Sequence, residues 1–198
     1  MEIYPLGHSS FRIKGKTATV VTDPYDPAMI GLKFPKLDDV DIVTVSHDHG
    51  DHNAIGNLPG TPFVISGPGE YEVKGVTVVG VSTFHDDKDG ADRGKNVVYN
   101  ITVDGIRVCH LGDLGHKLTE AQVDAIGDVD VLLIPVGGTY TITSKTATEV
   151  VAQLEPLMVV PMHYDGKLNL EPVSNFLKEM GAEGIAPVSK LMISKEKL

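Results

Sequence analysis

Residues 45–52, Val-Ser-His-Asp-His-Gly-Asp-His, constrain the fold and the chemistry of this chain more than any other segment. They continue the apolar run at residues 42–45 and have the form His-x-His-x-Asp-His. With the histidine and aspartate content of this chain, that pattern arises by chance in roughly one sequence in a thousand of this length. Imidazole and carboxylate groups this close together at a strand end are typical ligands of divalent metal ions. We therefore interpret the segment as metal-binding, in preference to a polar surface loop of solvated histidines.

The spacing within this segment predicts two neighbouring metal ions. His47 and His49 are two residues apart, so on extended backbone their imidazoles point to the same side and can bind one cation. Asp51 and His52 follow Gly50, where the chain can turn freely, and can face a second cation beside the first. Four ligands do not complete two sites, so the hypothesis requires further ligands downstream.

Later residues supply those ligands. His85, Asp113 and His163 each follow an apolar or β-branched run. Asp113 comes after Gly112, and a carboxylate after such a turn is expected to bridge both ions. His110 is the alternative to His85, but we favour His85 because the loop that begins there is long and polar, as the rim of a site is. His110 then contacts substrate or supports a ligand, or is only a hydrogen-bonded histidine at a strand end.

Other polar residues lie near the same strand ends. Tyr140 is predicted to donate a hydrogen bond to substrate, the alternative being an incidental tyrosine on a flexible loop. His8 and Asp23 are predicted to lie behind the ligands, where a carboxylate or carbonyl orients an imidazole, although Asp23 could simply end a strand. Cys109 is predicted to be a small buried apolar side chain. Residues 86–89, Asp-Asp-Lys-Asp, are predicted to form a solvated loop with no chemical role.

The hydrophobic pattern changes from strand-like in the first half to helical in the second. Strand-like runs lie at residues 11–13, 17–22, 42–46, 63–66, 70–74, 76–82, 97–103, 106–111, 131–136 and 157–161. Helical patterns lie at residues 119–126, 145–154 and 173–180. Asp104-Gly105 is the strongest hairpin signal. Helices that alternate with strands after a set of hairpins indicate one α/β domain over residues 1–198, with two sheets covered by helices on their outer faces.

Charge and cysteine content exclude several classes of protein. The 198 residues include 27 Asp and Glu against 17 Lys and Arg, a net charge of −10, which argues against a nucleic-acid binder that relies on overall charge. The single cysteine excludes a disulfide framework and a multi-cysteine zinc site. No run approaches the ~18 apolar residues of a membrane span, and the N-terminus lacks the pattern of an export signal. We predict a cytoplasmic protein with no membrane partner, and a homo-oligomer is compatible with it.

The order His-x-His-x-Asp-His, His, Asp, His resembles the metal-binding pattern of the metallo-β-lactamase superfamily. Within it, the segments Leu-Gly-His-Ser-Ser-Phe (6–11), Thr-Asp-Pro (22–24), Gly-Pro-Gly-Glu-Tyr (67–71) and Pro-Met-His-Tyr (161–164) are similar to small cytoplasmic hydrolases related to ascorbate-6-phosphate lactonase. The resemblance implies a four-layer αβ/βα sandwich. It also implies that the first metal is held by His47, His49 and His85, the second by Asp51, His52 and His163, and that Asp113 bridges them.

These features predict a dinuclear hydrolase in which a hydroxide shared by two divalent ions attacks a small lactone, ester or phosphorylated metabolite. Asp51 is expected to orient that hydroxide and take its proton. Zinc is the first choice because most ligands are imidazoles, and the aspartates leave Mn²⁺ or Fe²⁺ open. Candidate cations for a phosphate are Lys88, Arg93 and Lys95, near His85 in sequence. The alternatives are a nuclease or phosphodiesterase, a promiscuous β-lactamase and, from another class, a non-catalytic metal-binding sensor.

Overall fold

The computed structural model, which describes residues 1–165 and 168–198, contains two six-stranded sheets. The strands are β1 (Glu2–Gly7), β2 (Ser10–Lys14), β3 (Thr19–Thr22), β4 (Ile42–Thr44), β5 (Phe63–Ile65), β6 (Gly69–Val73), β7 (Val76–Phe84), β8 (Lys95–Val103), β9 (Ile106–His110), β10 (Val131–Pro135), β11 (Met158–Met162) and β12 (Leu191–Met192). The helices are α1 (Pro27–Ile30), α2 (Glu120–Ile126), α3 (Ser144–Leu154) and α4 (Val173–Glu179). The predicted strands and helices are confirmed, whereas β1, β12 and α1 were not expected.

Tight turns join several of the antiparallel strands. Lys74 and Gly75 connect β6 to β7, and Asp104 and Gly105 connect β8 to β9. All four residues have positive φ, at 51°, 78°, 53° and 75° in chain order. Two consecutive residues of this kind match the right-handed twist of the flanking strands and favour Asp-Gly. The hairpin predicted at Asp104-Gly105 is therefore confirmed.

The strand directions bring many chain segments to one edge of each sheet. The first sheet has the order β12-β1-β2-β3-β4-β5 and the second the order β11-β10-β9-β8-β7-β6. Antiparallel pairs β1/β2 and β2/β3, followed by parallel pairs β3/β4 and β4/β5, leave β1, β3, β4 and β5 running the same way. By the same reasoning β7, β9, β10 and β11 run the same way in the second sheet. The residues that follow these strands therefore cluster at their carboxyl ends.

The main core lies between the sheets. Its buried side chains include Ile3, Ile13, Val20 and Ile42 from the first sheet and Val78, Ile101, Val108 and Leu133 from the second. Full burial of one such side chain stabilises the fold by about 1.5–3 kcal/mol. The hydroxyl of Tyr99, on the second sheet, donates to the carbonyl of Val45 at 3.0 Å. This bond ties the second sheet to the end of β4, from which the predicted metal-binding segment begins.

Helices cover the outer faces to different extents. Over the second sheet, α3 and α4 bury Val150, Leu154 and Phe176 against Leu132 and Ile134. Over the first sheet, the four-residue α1 and the segment around it bury Tyr25, Ile30 and Phe34 against Val21 and Val43. The four-layer αβ/βα sandwich is thus confirmed, with one thin outer layer. Within the described residues, no helix has both the length and the apolar character needed to cross a bilayer.

The sequence pattern does not predict β1, because Pro5 and Gly7 interrupt its alternation. Among the described residues β12 pairs only with Glu2 and Ile3, so β1 has an open edge at Pro5 and tolerates the missing N–H there. Since β1 runs in the same direction as β3 and β4, it delivers His8 to the same edge of the sheet.

Candidate metal centre

All the side chains predicted as metal ligands lie together at the carboxyl ends of strands from both sheets. After β4 come His47, His49, Asp51 and His52; after β7 comes His85, after β9 Asp113, and after β11 His163. Residues far apart in sequence are adjacent here because the four strands end at a shared edge of the sandwich.

Asp113 lies in the middle of this group. Its Oδ2 is 3.3 Å from Nε2 of His85 and 3.2 Å from Nε2 of His163. Its Oδ1 is 3.3 Å from Nε2 of His52, and its Oδ2 is 4.0 Å from Nε2 of His47. One carboxylate therefore approaches imidazoles of both predicted metal positions, as a bridging ligand must.

Two groups of donor atoms match the predicted metal positions, and a third consists of Asp23, His47 and His52. Donor atoms within 4.8 Å of one another belong to His47, His49 and His85 in one group, and to His8, Asp51, His52 and His163 in the other. The first group is the set predicted for the first metal position. The second contains the set predicted for the second position together with His8, which sequence reasoning placed behind the ligands. A histidine at the end of β1 was the available signal, and it was missed because β1 itself was not expected.

Buried donor atoms without partners test whether the group fits a cation. Nε2 of His47, Nε2 of His52 and Oδ1 of Asp113 are buried and have no hydrogen-bond partner among the described residues. A buried polar atom left unpaired costs about 1–3 kcal/mol. Divalent cations would satisfy all three atoms, and imidazole with carboxylate is a ligand set they accept. The residues present therefore fit a divalent metal centre.

Asp23 orients two of the imidazoles from behind. Its Oδ2 accepts hydrogen bonds from Nδ1 of His52 at 2.8 Å and from the Ser46 hydroxyl at 2.5 Å, and its Oδ1 accepts from the Ser46 N–H at 2.8 Å. The Ser46 hydroxyl, having donated its proton, accepts from Nδ1 of His47 at 2.9 Å. Nδ1 of each imidazole is thus held by a hydrogen bond, and Nε2 of each is turned toward the centre. This geometry matches the supporting role predicted for Asp23.

The charged groups of the centre control one another's protonation. Burial, together with the neighbouring His52, lowers the pKa of His47 to about 3, so that ring is neutral at pH 7, the form that binds metal. Burial by itself raises the pKa of Asp113, but His163 and His52 beside it hold that pKa well below its ordinary value. Burial also raises the pKa of Asp51, and the neighbouring imidazoles bring it below its ordinary value. Both carboxylates are therefore charged at neutral pH.

The backbone of the metal-binding segment differs from the expected extended chain with a free turn at Gly50. The N–H groups of His52 and Asn53 both donate to the carbonyl of His49, at 2.8 and 3.0 Å, which closes a helical turn. The φ of Gly50 is not positive, so the backbone conformation at this position does not require a glycine. A Cβ there would lie 2.5 Å from Sδ of Met29, and the glycine therefore provides room for that side chain.

A buried carboxylate, Asp86, organises the loop that follows His85. It accepts hydrogen bonds from the backbone N–H groups of Lys88, Gly90, Asp92 and Arg93, at 2.7 to 3.0 Å. The prediction that residues 86–89 are only a solvated loop is wrong for Asp86, which is buried. The loop folds around its carboxylate oxygens, which accept these hydrogen bonds. Burial raises the pKa of Asp86, but these N–H donors, that of Arg93 first, bring it well below its ordinary value.

Asp86→Ala is expected to open this loop, because four backbone N–H groups lose their acceptor. Amide hydrogen exchange at those positions should accelerate by about tenfold or more, as expected for lost hydrogen bonds. Since the folded-state pKa is depressed, wild-type protection should be complete above the ordinary carboxyl pKa of about 4 and fall as the pH drops below it. Asp87→Ala, which changes an exposed neighbour, should leave exchange unaltered. Equal exchange rates in both variants would contradict this account.

Two features fix Asp113 against the His85 loop. The Asp113 N–H donates to Oδ1 of the buried Asn96 at 3.0 Å. The Asn96 amide in turn donates to the Leu111 carbonyl at 2.9 Å. Gly115 lies against the backbone of His85 and Asp86, so closely that a Cβ would overlap their atoms. A residue with no side chain is therefore needed where the Asp113 turn meets the His85 strand end.

Gly115→Ala is expected to lower the free energy of unfolding by about 1–3 kcal/mol, since the overlap is with backbone and forces a shift. The shift should displace His85 and weaken metal binding at the first position. Urea unfolding and metal titration measure the two effects. Gly56→Ala is the matched control, because a Cβ there meets no atom of the described residues within 4 Å. A Gly115→Ala protein as stable as the Gly56→Ala protein would show that the contact is unimportant.

His110 lies where it has no ring nitrogen left for a substrate. It is fully buried; its Nε2 donates to the carbonyl of Ser9 at 2.7 Å, and its Nδ1 accepts from the Gly112 N–H at 3.1 Å. We therefore remove His110 from the proposed catalytic residues. It is a hydrogen-bonded histidine at a strand end, the alternative stated from the sequence. His85 rather than His110 lies beside His47 and His49.

The predicted substrate contacts lie on the surface. Tyr140 is exposed after β10, and the Arg93 guanidinium lies 5.7 Å from the centre of its ring. Lys88 pairs with Asp92 at 2.7 Å, and Lys95 is exposed at the start of β8. The roles of these residues toward substrate stay predictions.

Comparisons with known proteins agree with this architecture. The family model described as the β-lactamase superfamily domain matches residues 2–163. A UPF0173 metal-dependent hydrolase of Thermococcus onnurineus is 31% identical over 188 residues, covering 81% of this chain and 83% of the relative. A Thermotoga maritima structure, assigned as a Zn-dependent hydrolase of the metallo-β-lactamase superfamily, has a TM-score of 0.82 and 43% identity over 99% of this chain and 93% of its own.

A second solved structure, with lower sequence identity, is similar to this chain in fold. Igni18, a metallo hydrolase from Ignicoccus hospitalis, has a TM-score of 0.71 and 22% identity, covering 91% of each chain. The family model covers most of the chain, and one relative is more than 30% identical to it. Both results identify the family of this chain. This chain belongs to the metallo-β-lactamase superfamily and, within it, to the UPF0173 family of metal-dependent hydrolases.

Proposed function

We propose that this protein is a dinuclear metal-dependent hydrolase of small lactones or esters. The first metal position is formed by His47, His49 and His85, the second by Asp51, His52 and His163, with Asp113 shared between them. Two divalent ions bound there would polarise the substrate oxygen and make water acidic enough to act as a nucleophile near neutral pH. The observation that carries the proposal is Asp113, whose oxygens approach imidazoles of both positions at 3.2 and 3.3 Å.

Within this site Asp51 has the access that a proton acceptor needs. Its side chain is 15% exposed, against 2% for Asp113, so an incoming water can reach its carboxylate. Its depressed pKa keeps it charged, so that it can accept a hydrogen bond that orients the water. Asp113 is too enclosed by imidazoles for this step, and its role is to hold charge between the two positions.

The ligand chemistry favours zinc. Five of the seven proposed ligands are imidazoles, which suit zinc, and the two carboxylates keep Mn²⁺ or Fe²⁺ as alternatives. Asp23 bonds His52 directly and reaches His47 through the Ser46 hydroxyl. These hydrogen bonds hold both rings with Nε2 toward the metal positions.

A cavity beside the second position supports a small substrate with an apolar part. It has a volume of about 210 Å³ and is lined by His8, Ile30, Gly31, Leu32, Tyr164, Asp165, Leu168 and Leu170. Typical ligand pockets run from about 300 to 1,000 Å³, so this one suits a small molecule. Among these lining residues the acidic side chain is that of Asp165, and none is a lysine or an arginine.

This lining separates the candidate substrates. A lactone or ester keeps the lactone-opening chemistry of the ascorbate-6-phosphate lactonase resemblance, and the lining residues named above offer no cation for a phosphate. Lys88, Arg93 and Lys95 do not line the cavity. The net charge of −10 also argues against a nuclease that relies on overall charge. A non-catalytic metal sensor has no specific observation in its favour.

A substrate panel tests the proposal. Metal-loaded protein and chelator-treated protein are compared on short-chain lactones and esters, a phosphodiester, single-stranded RNA and a β-lactam. We expect metal-dependent turnover of the lactones and esters, at higher kcat/KM than of the phosphodiester or RNA. Metal-dependent cleavage of RNA or phosphodiester with no lactone or ester turnover would overturn the substrate class. Absence of bound metal after reconstitution would overturn the dinuclear centre itself.

A further inference from the structure

We propose that His8 is an additional ligand of the second metal position, beside Asp51, His52 and His163. The inference rests on the proposed dinuclear centre and extends it. Three independent observations point to it: the contacts of the His8 ring, the backbone that holds it, and a buried histidine that otherwise has no role.

The His8 ring is enclosed by the proposed ligands. Its side chain is 4% exposed, and its Nε2 is buried without a hydrogen-bond partner among residues 1–165 and 168–198. That atom lies 3.4 Å from Oδ2 of Asp51, and the ring centre lies 4.3 Å from that of His163 and 5.2 Å from that of His52. An unpaired buried nitrogen is costly, and a cation shared with these three residues would satisfy it.

The backbone of His8 is held in an unfavourable conformation. Its φ is +52°, in the left-handed region that residues other than glycine rarely adopt. The N–H of His163, itself at φ +54°, donates to the His8 carbonyl at 3.3 Å. Strained residues of this kind persist where the surrounding structure holds them and are concentrated at functional sites. Here the strain places two imidazoles from different sheets next to each other.

The buried His110 anchors the segment that carries His8. Its Nε2 donates to the carbonyl of Ser9, the residue after His8, and its Nδ1 accepts from Gly112, the residue before Asp113. The Ser10 hydroxyl donates to the Thr22 carbonyl at 2.7 Å, next to Asp23. The segment is thus tied to both neighbouring strand ends of the centre. Such anchoring is expected of a loop that presents a ligand, and it makes His110 a positioning residue.

The assignment makes the two metal positions unequal. With His8 included, the second position has three imidazoles and two carboxylates counting the shared Asp113, whereas the first has three imidazoles and that shared carboxylate. The second position should therefore bind the first equivalent of metal, and removal of His8 should weaken that tighter step. Loss of even an indirect supporting group typically lowers metal affinity by about 10–100-fold, so loss of a ligand should cost at least about tenfold.

Cobalt(II) titration of the full-length protein tests this directly. Wild type, His8→Ala and His8→Gln are stripped of metal and titrated with Co²⁺, with calorimetry and visible absorption as readouts. We expect both variants to lose at least about tenfold in one binding step and to change its absorption spectrum. His49→Ala should affect the other step, and Asp124→Ala, at an exposed position of α2 outside both groups, should bind as wild type. Unchanged constants and spectra in both His8 variants would overturn the proposal.

A measurement on wild type covers the case in which the variants do not fold. In Co²⁺-loaded protein, ligating imidazoles give shifted, exchangeable ring N–H proton resonances. Six such resonances are expected if His8 joins His47, His49, His52, His85 and His163, and five would overturn the proposal while leaving the dinuclear centre intact. Wild type that binds no Co²⁺ would overturn both.

Discussion

Asp113→Ala is expected to reduce the metal content of reconstituted protein from about two ions per chain to one or none. The carboxylate is the group whose oxygens reach imidazoles of both positions. Unit charges 4 Å apart repel by about 4 kcal/mol at an effective dielectric constant of 20, and the repulsion between dications is larger. Without a shared negative charge, double occupancy is therefore unfavourable. Elemental analysis of the purified variant measures the loss.

Matched variants separate the bridge from a general loss of charge. His163→Ala removes one neutral ligand from one position, so its loss should be smaller than that of Asp113→Ala. Asp124→Ala removes an exposed carboxylate from α2 and should retain both ions. Cys109→Ser and His116→Ala should also retain them, because both lie outside the ligand groups. An Asp113→Ala protein that keeps two ions while Cys109→Ser loses one would show that the bridge is assigned wrongly.

Asp23→Ala is expected to lower the free energy of unfolding by about 3–5 kcal/mol, the usual effect of removing one partner from a buried charged network. The fully buried carboxylate accepts three hydrogen bonds, and its loss strands the Ser46 N–H and Nδ1 of His52. Metal affinity should fall by about 10–100-fold, because both imidazoles lose the partner that fixes their tautomer. Thermal unfolding of the metal-free protein and a separate metal titration distinguish the two effects.

An exposed carboxylate in a similar ion pair provides the comparison. Asp39 pairs with Arg12 at 3.0 Å but is 49% exposed, so Asp39→Ala should cost about 0–1 kcal/mol and leave metal affinity unchanged. Asp23→Asn keeps the side-chain volume and should recover part of the stability. If Asp23→Ala were no more destabilising than Asp39→Ala, the buried network would not support the centre as we describe.

Local sequence was sufficient to predict most of the proposed ligands. His47, His49, Asp51 and His52 lie in one short segment after a strongly apolar strand, so their proximity follows from chain connectivity. His85, Asp113 and His163 could be predicted because each also follows a clear strand. The carboxyl ends of the parallel strands lie along one edge of each sheet. Residues that follow these strands are therefore close in space even when they are far apart in sequence.

What the sequence could not predict depends on contacts between distant segments. His8 lies at the end of β1, a strand that Pro5 obscures and that is recognisable only through its pairing with β2. The enclosed position of His110 is set by the carbonyl of Ser9. The importance of Gly115 arises from the backbone it touches. None of these partners is adjacent in sequence, so no local pattern contains them.

The hydrogen bond from His163 to the carbonyl of His8 joins the two halves of the sandwich at the metal centre. Donor groups from both sheets surround that junction, so a metal ion held by the proposed ligands would link the two sheets. Bound metal should then lengthen the lifetime of the native state as well as shift the unfolding equilibrium. For a hydrolase of this construction, metal supply would set how long each molecule survives proteolysis and heat.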